Sequence, residues 1–295
     1  MPTVTPTPTA TRTPTITPTP TKTPLPSGRS GRVETKFRSA ILGLEQPILI
    51  YLPPGYYDSQ RRYPVMYMLH GYGGPYNEWE KWGMLSYIEP MIRDGQVQPM
   101  IVVMPSGFTP EGQPSYFFNH APTGGGRRWG DYVWQDVVNY IDANYRTLPR
   151  RESRSIGGLS LGGQGALTIA LTHPEVFQVV GAHSPSFRGP GGTVYPPDPF
   201  FGDWDYYNQY DPFWLAQNTD NARQLTIWID VGLDDNNWRS CRPDQRCIES
   251  FHALLVAKGI SHDYQDDWPG RHEGSYWSPH IPNYLMWYSS KLVGQ

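Results

Sequence analysis

The sequence is short of the features that mark most binding proteins. Lysine and arginine total 24 against 27 acidic residues, a net charge of −3. No basic surface for nucleic acid or for an anionic membrane is therefore expected. No apolar run approaches the ~20 residues that a membrane-crossing helix needs. Charged residues make up only 17% of the 295 positions while 38% are hydrophobic, so one large domain with a buried core is expected. Cysteine is nearly absent. Cys241 and Cys247 stand alone in one loop, without the neighbouring histidines that a four-ligand zinc site would require. Two readings of the pair stay open. A local disulfide would stabilise by roughly 2 kcal/mol and fit an oxidising compartment. Two free thiols would place Cys247 on the apolar face of a following helix. The run Gly124-Gly125-Gly126-Arg127-Arg128 lacks the Gly-Lys-Ser ending of a phosphate-binding loop and reads as a turn.

What is present divides the chain in two. Thr occupies every odd position from Thr3 to Thr23, with prolines between. Such a stretch has almost nothing to bury, and proline holds it extended, so residues 1–27 are expected to form a stiff disordered linker. Thr/Pro-rich stalks are often O-glycosylated on exported proteins. No charged and apolar leader precedes the repeat. A secreted or surface-tethered protein is expected, its export signal lying outside this chain, with further modules joined through the linker. Residues 28–295 are expected to form the folded domain.

Within that domain, strand-like and helix-like stretches alternate. Strands are expected over Arg32–Leu44, Pro47–Leu52, Pro64–His70, Met100–Met104, Ser153–Leu159, Phe177–Ala182, Leu225–Val231 and, as a polar edge strand, His262–Trp268. Helices are expected over Glu78–Ile92, around Val133, Val137 and Ile141, over Gly163–His173, Arg246–Lys258 and Ile281–Leu292. Alternation of this kind implies right-handed crossovers and a mostly parallel sheet covered on both faces, with ligands at the carboxyl ends of the strands. Two segments, 105–128 and 189–210, are loop-like and rich in aromatics. They serve either as a platform for phenolic or sugar rings or to pack the loops onto the body.

Chemistry enters at Gly158-Leu159-Ser160-Leu161-Gly162, which fits the Gly-x-Ser-x-Gly pattern of a serine thrust out of a strand-to-helix turn. A serine is a weak nucleophile alone. It needs a base, a carboxylate to orient that base, and N–H donors for the oxyanion. In α/β-hydrolases these parts follow in the order serine, acid, histidine. Here the seventh strand ends in Gly232-Leu233-Asp234-Asp235, and the loop after the eighth carries Pro269-Gly270-Arg271-His272. The third strand ends in His70-Gly71-Tyr72-Gly73-Gly74, where an oxyanion loop belongs. The backbone N–H groups of Tyr72 and Leu161 are the expected oxyanion donors. His262 and His280 flank the expected base, His272. His70, His173 and Asp230 read as structural.

The runs Tyr51-Leu52-Pro53-Pro54-Gly55-Tyr56, Leu69 to Gly74, Tyr140 to Thr147, Gly157 to Ala166 and Pro269 to His272 together resemble the esterase D-like "putative esterase" family. That family includes the feruloyl and acetylxylan esterases of carbohydrate esterase family one and is related to the mycolyltransferases. The resemblance covers roughly Tyr51 to Tyr288. It implies an α/β-hydrolase fold, ester hydrolysis through an acyl-serine, and no metal or organic cofactor. It also selects Asp235 over Asp234, because the family's acid stands three residues after the strand-ending glycine. Tyr72-Gly73-Gly74 stands where the S-formylglutathione hydrolase branch has a cysteine, which argues against a glutathione-linked role. The expected enzyme is a serine carboxylesterase with Ser160, Asp235 and His272 as its catalytic residues, acting on feruloyl or acetyl groups of plant cell-wall polysaccharide. The rivals are an acyltransferase of mycolyltransferase type and an inactive carbohydrate- or surface-binding module.

Overall fold

The near-continuous apolar runs become the centre of one eight-stranded sheet. A computed structural model describes residues 28–187, 203–236, 238–241 and 246–294. The Thr/Pro stretch and residues 189–202 of the second aromatic segment lie outside the described residues. The strands are β1 (Gly31–Arg38), β2 (Glu45–Leu52), β3 (Val65–Leu69), β4 (Ile101–Pro105), β5 (Arg154–Leu159), β6 (Val179–His183), β7 (Thr226–Asp230) and β8 (Asp263–Gln265). Their order across the sheet is β1-β2-β4-β3-β5-β6-β7-β8. The β1–β2 and β2–β4 pairs are antiparallel and every other pair is parallel.

Side chains alternate between two apolar layers, as the period of two in a strand requires. Val65, Tyr67 and Leu69 of β3, with Ile101 and Val103 of β4, face one layer. Met66 and Met68, with Val102 and Met104, face the other. All nine are fully buried, which is why β3 and β4 read as unbroken apolar runs. The register aligns the carboxyl ends. Leu69 pairs with Gly158, Leu159 with His183, and His183 with Asp230. The loops leaving β3, β5, β6 and β7 therefore emerge side by side.

The helices are α1 (Glu78–Lys81), α2 (Met84–Arg93), α3 (Trp129–Asp131), a π-helical segment (Tyr132–Val137), α4 (Val138–Asn144), α5 (Leu161–Thr172), α6 (Trp204–Asn208), α7 (Pro212–Asn218), α8 (Ile248–Ala257) and α9 (Gly274–Lys291). Several expected boundaries move for local reasons. The single helix expected over Glu78–Ile92 is two, because Gly83 adopts φ 96°, a left-handed conformation that ends the helical ladder. β1 stops at Arg38, where Ser39 N–H bonds the Leu44 carbonyl at 2.8 Å and Gly43 turns the chain at φ 66°. α9 begins seven residues earlier than Ile281, in spite of Pro279 and Pro282 within it. A proline inside a helix costs about 3 kcal/mol. Burial of Tyr276 and Trp277 in the first turn offsets that cost. Cys241 and Cys247 are bonded to each other, closing the loop ahead of α8.

The first aromatic segment packs the loop onto the body. Tyr116, Phe117 and Phe118 are buried. Phe117 lies so close to Gly107 and Gly165 that a Cβ added there would sit 2.5 Å and 2.9 Å from its ring and Cβ. Tyr116 and Phe117 take φ values of 63° and 57°, a conformation that bulky residues keep only when their surroundings hold them.

Candidate active site

Ser160 stands at the corner between β5 and α5. Its backbone has φ 52° and ψ −118°, a region that costs a non-glycine residue about 1–3 kcal/mol. The flanking glycines have a steric reason. A Cβ on Gly158 would lie 2.3 Å from the Gly162 carbonyl, and one on Gly162 would lie 2.5 Å from the His70 carbonyl oxygen. Main-chain bonds hold the corner in place. Ser160 N–H donates to the His183 carbonyl at 2.9 Å, and the Ser160 carbonyl accepts from Ser186 N–H at 3.0 Å.

After β7 the chain turns through Gly232 to Asp235, whose N–H returns to the Gly232 carbonyl at 3.1 Å. This turn is joined to the loop after β8. Leu233 N–H donates to the Trp268 carbonyl at 2.8 Å, and Asp234 N–H to the Gly270 carbonyl at 2.9 Å. These two bonds tie the loops to each other. The loops carry the acid and the imidazole to the serine. His272 Nε2 lies 2.8 Å from Ser160 Oγ, and His272 Nδ1 lies 2.7 Å from Asp235 Oδ2. Asp235 is buried, with Oδ1 accepting from Trp238 N–H at 3.2 Å, whereas Asp234 is exposed. A carboxylate against Nδ1 makes that nitrogen the N–H and leaves the Nε2 lone pair facing the serine hydroxyl. The arrangement can take a proton from Oγ.

The other histidines lie elsewhere. His262 pairs with the His252 ring at 2.8 Å, and His280 stacks on Trp268 at 4.1 Å. His173 caps the end of α5 and stacks on Trp134 at 4.1 Å. Asp230 is fully buried and bonded to His183 at 2.5 Å.

A cavity of about 560 Å³ opens over the Ser160–His272 pair, and Tyr72 and Leu161 line it too. Leu161 is the first residue of α5, so its N–H has no carbonyl one turn back to bond, and the helix N-terminus adds partial positive charge. Three aromatics of the cavity wall are not legible in the sequence. Trp82 and Trp277 stack at 5.2 Å with rings nearly parallel, and Trp238 lies 6.0 Å from the His272 ring. They come from three separate elements, and each alone reads as an ordinary core aromatic. Glu78 also lines the cavity and was legible only as the start of a helix.

His70 shows why the loop after β3 needs a neutral imidazole. Its Nδ1–H donates to the Gly71 carbonyl at 2.8 Å, and its Nε2 accepts from Gly107 N–H at 2.9 Å. A proton on Nε2 would abolish the second bond. Burial pushes the imidazole pKa down to about 4, against a smaller upward pull from the Gly71 carbonyl. The sign follows. Between the unfolded value near 6.5 and about 4, the unfolded chain binds the extra proton, so stability falls as pH falls through that window. The expected loss is about 3 kcal/mol, full below pH 4 and absent above 6.5. Urea unfolding at pH 7 and pH 4.5, run beside His70→Gln, checks it. A variant with the same pH slope as the wild type would contradict this origin.

A family model described as "Esterase: Putative esterase" matches residues 39–288. An endo-1,4-beta-xylanase/feruloyl esterase of Xylanibacter ruminicola is 32% identical over 168 residues, covering 55% of this chain. The match spans only 22% of that relative's length. An acetyl esterase of Caldicellulosiruptor saccharolyticus is 24% identical over 274 residues, covering 87% of this chain and 97% of its own. Among solved structures, a ferulic acid esterase superposes with a TM-score of 0.76 at 20% identity, covering 90% of this chain and 100% of its own. That likeness shows a shared α/β-hydrolase fold.

Proposed function

The chain belongs to the "Putative esterase" family, and from that membership we propose that it is a serine carboxylesterase working through an acyl-serine. One observation carries the reading: His272 bridges Ser160 Oγ at 2.8 Å and the buried Asp235 carboxylate at 2.7 Å inside one cavity. Ser160 Oγ attacks the ester carbonyl while His272 Nε2 takes its proton. Asp235 holds Nδ1–H and stabilises the imidazolium that forms. The N–H groups of Tyr72 and Leu161 receive the oxyanion. The imidazolium then protonates the leaving alcohol, and a water activated by His272 releases the acid.

The substrate is a feruloyl or acetyl ester of plant cell-wall polysaccharide. Relatives named feruloyl esterase and acetyl esterase support that class, and the flat faces of Trp82, Trp238 and Trp277 around the cavity suit a ring or an apolar acyl group. Residues 28–295 form the catalytic domain, and 1–27 are the linker through which further modules are joined. The bonded pair Cys241–Cys247 fits a secreted or cell-surface setting.

A fluorophosphonate probe tests the mechanism. The expected result is one covalent label per chain on the peptide holding Ser160, with loss of hydrolysis in proportion to labelling. A label on another residue, or hydrolysis that survives full labelling, would refute it. Comparing methyl ferulate, acetylated xylan and a short aryl ester then orders the substrates.

A further inference from the structure

The loop between β3 and α1 has to be accurate and is built from residues that are not stiff. Gly71, Gly73 and Gly74 surround Tyr72, and glycine backbones wander more freely than any others. An oxyanion donor is useful only within about 2.7–3.1 Å of the oxygen it stabilises, so something must hold this loop. His70 fixes the loop's start through its bonds to Gly71 and Gly107. Trp79 Nε1–H donates to the Leu69 carbonyl at 2.9 Å, which ties α1 to the end of β3. Neither reaches past Tyr72.

Glu78 does. Its Oε2 accepts from Gly71 N–H at 2.8 Å, directly before Tyr72. Its carboxylate also lies against Gly74, two residues beyond. A Cβ on Gly74 would sit 2.1–2.2 Å from the Glu78 carboxylate atoms, so only glycine admits this contact. Gly71 in turn presses on the elbow, since a Cβ there would lie 2.7 Å from Leu159 Cδ1 and 3.8 Å from Ser160 Cβ. A shift of Gly71 is thus a shift of the Tyr72 N–H relative to Ser160. We propose that Glu78 is a positioning residue for the oxyanion donor, its carboxylate bracing the loop on both sides of Tyr72. A plainer role exists: an acid in the first turn of α1 that offsets the helix dipole. That role would affect stability and leave the turnover step alone.

The test rests on the esterase reading above, and the wild type serves as its control. If the wild type hydrolyses no ester, that reading fails; if it does, the Glu78 variants are judged on their own. Glu78→Gln keeps an oxygen that can accept from Gly71 N–H, at the same length and without charge. Glu78→Ala removes the brace. On an aryl acetate, Glu78→Ala is expected to lower kcat about 10–100-fold with KM within about threefold, the size expected for a misplaced donor. Affinity for an arylboronic acid, whose tetrahedral adduct places an anionic oxygen at the oxyanion position, should fall in the same proportion. Glu78→Gln should restore both to within about threefold of wild type. If Glu78→Ala does not fold, Gly74→Ala displaces the carboxylate sterically and should show the same kcat-selective loss. An unchanged kcat in the brace-less variants, or a Glu78→Gln as impaired as Glu78→Ala, would overturn the proposal.

Discussion

Ser160→Ala is expected to lower kcat on an aryl acetate by about 10⁴–10⁶-fold, while the thermal midpoint stays within roughly 2 °C of wild type. The two halves have separate causes. Under the proposed acyl-serine mechanism, chemistry is lost because Oγ bonds to the acyl carbon and is the atom that His272 Nε2 faces at 2.8 Å. Stability is kept because the corner is held by main-chain groups. Ser160 N–H still reaches the His183 carbonyl, and Ser186 N–H still reaches the Ser160 carbonyl. Alanine is no more strained than serine at φ 52°. Asp235→Asn should also be severe, since an amide can place N–H against Nδ1 and favour the wrong tautomer. The double variant Ser160→Ala/His272→Ala should be no worse than Ser160→Ala alone, because the two act as one unit. Turnover retained in Ser160→Ala, measured by initial rates and checked against denatured enzyme, would rule out the acyl-serine route.

The parts of this site were legible because parallel crossovers bring every strand's carboxyl end to one edge. Ser160, Asp235 and His272 each lie just past a strand, so chain order alone brings them to a common edge. The glycines around Ser160 were legible for a related reason, since each marks a place where two backbones touch. The Trp82, Trp238 and Trp277 wall was not legible. Its members meet only after α1, the turn following Asp235 and α9 have docked, and no local spacing records that. The early start of α9 was not legible either. Pro279 and Pro282 argue against a helix locally, and the opposing argument, the seating of Tyr276, is tertiary. The break at Gly83 is a similar case. A glycine inside an amphipathic run is compatible with one helix or two, and the φ of 96° that decides it comes from packing.

Asp230→Ala is expected to cost about 3–5 kcal/mol and lower the thermal midpoint by roughly 10 °C. The carboxylate is fully buried behind the candidate site, and its two oxygens collect three donors. His183 Nδ1–H donates to Oδ1 at 2.5 Å, and the hydroxyls of Tyr276 and Tyr284 donate to Oδ2 at 2.7 Å and 3.0 Å. Tyr288 completes the cluster, 3.1 Å from His183 Nε2. Burial and then the Asp230 charge hold the Tyr276, Tyr284 and Tyr288 hydroxyls well above the usual tyrosine range, so they remain donors at any working pH. Tyr276, Tyr284 and Tyr288 stand four and eight residues apart on one face of α9. Gly157 and Gly181 make room for the last of them, since a Cβ on either would come within 2.0 Å of the Tyr288 hydroxyl. Removing Asp230 leaves an imidazole and two hydroxyls without their acceptor in the core, at about 1–3 kcal/mol for each group. Asp230→Asn keeps one acceptor for the tyrosines but turns an N–H toward His183, so it should cost less, about 1–2 kcal/mol. Because Asp230 bonds none of Ser160, Asp235 or His272, kcat of the folded fraction at 25 °C should stay within a few-fold in both variants. Calorimetry with parallel initial rates separates the two effects. A midpoint shift under about 2 °C in Asp230→Ala would mean that β6, β7 and α9 are held together without this carboxylate.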